Sequence, residues 1–158
     1  MMLKIPRNAS VTISLILSVV LLFALIAGFV LAPKLVQILI DTPDNIGDRN
    51  SIGSAGRVFI LCVTYAILLL ICAADLLLVK ILLNVRTGIV FTDGTVAFIR
   101  YVSWCCILVG ALFFSIGGYF QLAIIAGFAA VFGGFCIRAV KNVFEEAVAI
   151  KNENDLMI

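Results

Sequence analysis

Residues Tyr101 to Ile137 read YVSWCCILVGALFFSIGGYFQLAIIAGFAAVFGGFCI, without a single charge, and the division of this stretch decides the fold. As one helix it would rise about 55 Å at ~1.5 Å per residue, far beyond the ~30 Å hydrocarbon core of a bilayer. At Ser115–Gln121 the chain reads SIGGYFQ. The adjacent Gly117 and Gly118, followed by the polar Gln121, favour a tight turn at a membrane face. The stretch therefore resolves into two spans, about 101–116 and 120–137, joined by a very short connection.

Two further apolar runs lie on the N-terminal side, at about 58–79 and 11–32. The whole chain is 64% apolar and 13% charged over 158 residues. Soluble domains average about 45–50% apolar and about 25% charged, so the composition is that of a membrane protein. The expected fold is all-α, a single membrane domain built as a four-helix bundle. The first run has a basic approach, Lys4 and Arg7, as a secretory signal would. It is longer than the ~7–15 residues of a signal core, and Pro33 follows its small-residue end, a poor cleavage context. It is read as a retained helix.

Counting cations in the flanks orients the bundle. With both termini inside, the cytoplasmic parts hold Lys4, Arg7, Lys80, Arg86, Arg100, Arg138, Lys141 and Lys151, against Lys34, Arg49 and Arg57 outside. Positive residues concentrate on the cytoplasmic side, so both termini are expected there. Small residues recur every four positions at Ala24, Gly28 and Ala32, and again at Ala126, Ala130 and Gly134. Such stripes let helix backbones approach closely in lipid. They serve contacts within one chain or between copies in a homo-oligomer, and the internal use is the expectation.

Three segments lie outside the spans. The outer loop, 33–57, begins with Lys34–Ile40, apolar enough to prolong the first helix or lie at the interface. It then turns rich in Asp, Asn, Gly and Ser. Asp41, Asp44 and Asp48 lack the ligand spacing of a calcium loop, so no metal site is expected. In the inner loop, 80–100, Thr92 is a suitable N-cap for the third helix, and Asp93 in its first turn complements the helix dipole. The tail, 138–158, is expected to continue the fourth span as an amphipathic helix, with Val140, Val143, Phe144, Ala147 and Val148 along one face. Its three cations and four acids are too balanced for a lipid-binding anchor. Val140, Phe144 and Ala147, with the terminal Leu156, Met157 and Ile158, are the candidate docking surface for a protein partner, in the manner of a helix laid in a groove.

The layout, together with GIVFTDGTVAFIR at 88–100 and EEAVAIKNENDLMI at 145–158, resembles a bacterial four-span membrane family classed as a domain of unknown function. Gly94 stands where that family usually has asparagine, and Met157 where threonine is usual. The family is often encoded beside a small Cro/C1-type helix-turn-helix regulator. The resemblance thus implies a bacterial cytoplasmic-membrane protein working with a cytoplasmic regulator, and it defines no catalytic residue.

The residues themselves argue against chemistry. The chain has no histidine, which removes the commonest general base and metal ligand. The five cysteines, Cys62, Cys72, Cys105, Cys106 and Cys136, lie in apolar runs without a CxxC pair and read as small hydrophobes of helix packing. No enzyme activity, cofactor or direct nucleic-acid binding is expected. One residue stands apart. Asp75, in LLLICAADLLLVK at 68–80, is the lone charge within the spans, about 5 Å inside the cytoplasmic edge of a ~30 Å core. Carboxylates at such depth are costly and demand partners. Water, Lys80, Asn84 or a cation on a neighbouring helix could satisfy this one through an ion pair or hydrogen bond. Lys80 at i+5 is poorly placed on the same helix, so Arg100, Arg138 or Lys141 is the better partner. The principal expectation is a sensing or tethering protein with Asp75 as an intramembrane tie. The rival is a small ion- or proton-coupled transporter or channel subunit that uses Asp75.

Overall fold

The structure is a computed structural model that describes residues 7–41, 53–87 and 92–156. Four helices account for these segments: α1 (Arg7–Asp41), α2 (Ser54–Arg86), α3 (Asp93–Ile116) and α4 (Gln121–Leu156). All four are long and apolar enough to cross a membrane. The protein is an all-α, multi-pass membrane four-helix bundle. The Asp44 and Asp48 region, the GIVF segment before Thr92, and Met157 and Ile158 lie outside the described residues.

Local signals set the helix limits. Thr92, in extended conformation at φ −137°, caps α3, its hydroxyl accepting from the Thr95 amide at 3.3 Å. After Ile116 the chain turns over Gly117–Phe120, where the amides of Tyr119 and Phe120 both bond the Ile116 carbonyl at 3.0 and 3.1 Å. This tight return divides the long apolar stretch where its sequence favours it. At the other boundary, α1 runs through Pro33 to Asp41, past the limit of 32 that the sequence suggests for the span. Proline has no amide to give the carbonyl four residues back, here that of Phe29. The Tyr65 hydroxyl, from α2, donates to that carbonyl at 3.4 Å, while the Tyr65 and Phe29 rings stack with centroids 6.0 Å apart. The helix thus passes its proline with the freed acceptor satisfied from a neighbour, the usual remedy in lipid.

The helices pack mainly in chain order, α1 on α2, α2 on α3, and α3 most extensively on α4. The α3–α4 seam is close: a β-carbon on Gly110 would fall 2.5 Å from Val131 Cγ2, and one on Gly134 would fall 2.8 Å from Ile107 Cγ1. Beside this contact the buried Ser103 hydroxyl donates to the Gly134 carbonyl at 2.9 Å. Of the small-residue stripes, Gly134 and Ala32 lie buried and Ala126, Ala130 and Gly28 are half-buried, whereas Ala24 is exposed. Toward the α3–α4 turn, Val36, Ile60, Val63, Ile67, Val109, Ile116, Phe120 and Ala123 form one buried cluster drawn from all four helices. Much of the outer surface is large and apolar, including Phe23, Val30, Leu122 and Phe132, each at least 70% exposed. In water such a surface would aggregate; in a bilayer it is the solvated face.

Candidate functional site

Asp75 is 3% exposed, and its Oδ1 accepts a hydrogen bond of 2.5 Å from the Ser18 hydroxyl of α1. Ser18 is itself 3% exposed. The second carboxylate oxygen, Oδ2, is buried without a hydrogen-bond partner among the described residues. The sequence suggests a cation as the partner of Asp75, and the structure corrects that expectation. Arg100 and Lys141 both meet Glu145, at 3.6 and 2.6 Å, and the Arg138 guanidinium lies 4.9 Å from the Trp104 ring centroid. Lys80 is over the Phe98 ring at 5.7 Å.

The reason lies in register. Lys80 meets Phe98 and Asn84 Nδ2 donates to Thr95 Oγ1 at 3.4 Å, which in antiparallel helices sets Asp75 near the level of Trp104. Ser103 bonded to Gly134 fixes the next pair in the same way, setting Arg138 close to the level of Arg100. The carboxylate is therefore about four residues, or ~6 Å, deeper than the backbone positions of Arg100 and Arg138, and the Arg138 head is held on the Trp104 ring. A hydroxyl of the helix packed against it at that depth reaches it first.

The cations instead form a second layer. Arg138 over Trp104, Lys80 over Phe98, and the Arg100–Glu145–Lys141 cluster tie together the last turns of α2, the start of α3 and the far half of α4. Beneath them Thr95, fully buried, shares its hydroxyl with Thr92 at 3.0 Å. The Lys141 ammonium, which donates to Glu145, holds that carboxyl below its ordinary range, with smaller help from Arg100.

The candidate docking residues divide. Phe144 and Ala147 are half-buried and Val148 is buried, whereas Val140 is 50% exposed and Val143 66%. The inward face of the tail thus runs through Lys141, Phe144 and Val148, rotated from the purely apolar face that periodicity suggests. Lysine permits this, because its aliphatic stem packs while its ammonium reaches Glu145. α4 continues as helix to Leu156, the last residue described. The five cysteines are free, with Cys62 and Cys136 exposed.

Asp75 also lines a cleft of about 520 Å³ between α1 and α2, whose other polar lining groups are Ser14 and Ser18. Ser14 and Ser18, four residues apart, share a face of α1. That spacing marks a polar seam on α1 but does not say which residue meets it.

Residues 45–158 match the model of a family described as "Protein of unknown function (DUF2975)", and the chain belongs to that family. The match takes in α2, α3 and α4, hence Asp75, but not α1 with Ser18. No curated protein and no solved structure matches the chain.

Proposed function

We propose that this DUF2975 protein senses a condition in the membrane and passes it to a cytoplasmic protein, without catalysing a reaction. The supporting observation is continuity within single helices. α2 carries Asp75 and, one to three turns on, Lys80 and Asn84, which contact α3. α4 runs unbroken from Gln121 to Leu156, about 54 Å at ~1.5 Å per residue, so its far half extends beyond the bilayer. A shift of α2 at Asp75 therefore moves the layer against which the tail is held. In this reading that end is cytoplasmic, in keeping with its cations. The exposed Val140 and Val143 form the surface offered to a partner, the apolar residues Leu156, Met157 and Ile158 are read as part of it from their sequence, and a helix-turn-helix regulator is the partner we propose.

The test is co-purification of such a regulator with the full chain and with a chain lacking 152–158, in mild detergent. Retention by the full chain and loss from the truncated one supports the reading. Equal recovery from both, or collapse of the truncated bundle, returns the tail to a structural role.

One observation favours a second reading, an ion- or proton-coupled transporter: the buried Oδ2 of Asp75 has no partner among the described residues. Intramembrane carboxylates in this condition mark ion paths. A flux into proteoliposomes that Asp75→Asn abolishes without unfolding the protein would favour transport over sensing.

A further inference from the structure

We infer that the α1–α2 cleft is a binding site for an amphiphile with an ammonium head, which reaches Asp75 sideways from the bilayer. Three observations meet there. The carboxylate is 3% exposed and has one oxygen satisfied by Ser18 and the other by nothing among the described residues. A buried acceptor left in that condition is costly, more so when charged, so a donor that reaches it binds with a ready-made gain. Among the described residues, Lys80, Arg100, Arg138 and Lys141 are engaged elsewhere, with Glu145 and the rings of Trp104 and Phe98.

The shape of the site selects the rest of the ligand. Beyond Ser14, Ser18 and Asp75 the walls are apolar, and the volume of about 520 Å³ far exceeds what a bare ion needs. Leu17 at 68% and Leu21 at 44% exposure flank α1's side of the cleft, and Leu78 at 42% flanks α2's. The cleft therefore opens laterally, onto lipid. A positively charged head fits the carboxylate, with Ser14 beside it as a further hydroxyl, and a hydrocarbon tail fits the leucine walls. An anionic head would face the carboxylate and be repelled. Either an aminophospholipid of the membrane or a free lipophilic amine supplies this chemistry.

The inference stands on the cleft alone and does not require a cytoplasmic partner, so its failure and the failure of the sensing reading are separately visible. The experiment is equilibrium dialysis of radiolabelled dodecylammonium, whose head carries N–H donors, against the full chain in phosphatidylcholine nanodiscs. Saturable binding near one per chain is expected, at least tenfold weaker in Asp75→Asn. Ala24→Phe, which fills the cleft while leaving the carboxylate and Ser18 in place, should weaken binding by a similar factor. Leu122→Ala, on the far surface of α4, should leave it unchanged. Including phosphatidylethanolamine in the nanodiscs separates the sources: competition by this lipid identifies an aminophospholipid, and its absence a free amine. Should Asp75→Asn fail to fold, Ala24→Phe still decides. Binding unaffected by both substitutions, or matched by an uncharged dodecyl probe, overturns the inference.

Discussion

The Tyr65 hydroxyl donates to the Phe29 carbonyl at 3.4 Å, and Phe29 is the residue four positions before Pro33. A defect that proline makes in α1 is thus met by a side chain of α2. Tyr65→Phe should destabilise the bundle by about 0.6–1.7 kcal/mol, the span measured for interhelical hydrogen bonds in lipid. The loss should shrink in a Pro33→Ala background, where the substituted residue would supply the missing backbone amide. Reversible unfolding in mixed detergent, arranged as a double-mutant cycle, gives both values.

Ser18→Ala removes the hydroxyl from Asp75 and leaves both carboxylate oxygens unsatisfied. A cost of about 1–3 kcal/mol is expected. Asp75→Asn keeps an acceptor for Ser18 and should cost less. The double variant should be less unstable than the two single losses added together, because the groups act as a pair. The same unfolding assay reads all three.

Close packing at the α3–α4 seam makes a sharp contrast between two glycines of α4. A β-carbon on Gly134 would meet Ile107 Cγ1 at 2.8 Å and the Ser103 carbonyl at 3.1 Å, while one on Gly133 would meet nothing within 4 Å. Gly134→Ala should lower the midpoint of detergent unfolding, with a loss of about 1–3 kcal/mol as for overpacked cores. Gly133→Ala should hold or raise it, since alanine is the better helix former.

The Glu145 contacts carry a pH dependence. Lys141 lowers the carboxyl's pKa from its ordinary value of 4.5, so the folded state holds the charged form more strongly than the unfolded one. The contribution is then fully present above the ordinary value and is lost as pH falls through the depressed folded one. Proteolysis of the tail should rise in acid below that range and also with salt, because Glu145 and Arg100 are exposed. Glu145→Gln should flatten both responses.

In a background with the five native cysteines replaced, a thiol placed at Ser51 should react with an impermeant reagent from outside the cell. One at Asn152 should be protected until the membrane is opened. The reverse pattern would invert the orientation that the cation distribution favours.

The sequence made the helix count, the turn at Gly117–Phe120 and the Thr92 cap legible, because each rests on local composition. Asp75 was conspicuous as a lone charge. Its partner was not, because a serine in an apolar helix can always bond its own backbone and carries no mark of a neighbour. Only helix register shows that Arg100 and Arg138 sit some four residues too shallow. That α1 continues beyond Pro33 is one of the readings its apolar Lys34–Ile40 allows; what settles it, Tyr65, lies 32 positions further along the chain and carries no local mark. The inward face of the tail was misplaced where periodicity treats lysine as wholly polar, whereas Lys141 packs its stem and pairs its head.

The order in which the helices pack bears on how the chain is made. Each helix packs on its neighbours in the chain, α1 on α2, α2 on α3 and α3 on α4. Contacts therefore form between helices adjacent in the chain, with little loop entropy to overcome. Asp75 reaches the lipid when α1, with Ser18, is already present to receive it. Moving α1 to the other end of the gene would preserve every residue and every span, yet deliver the carboxylate into the bilayer before its hydroxyl exists.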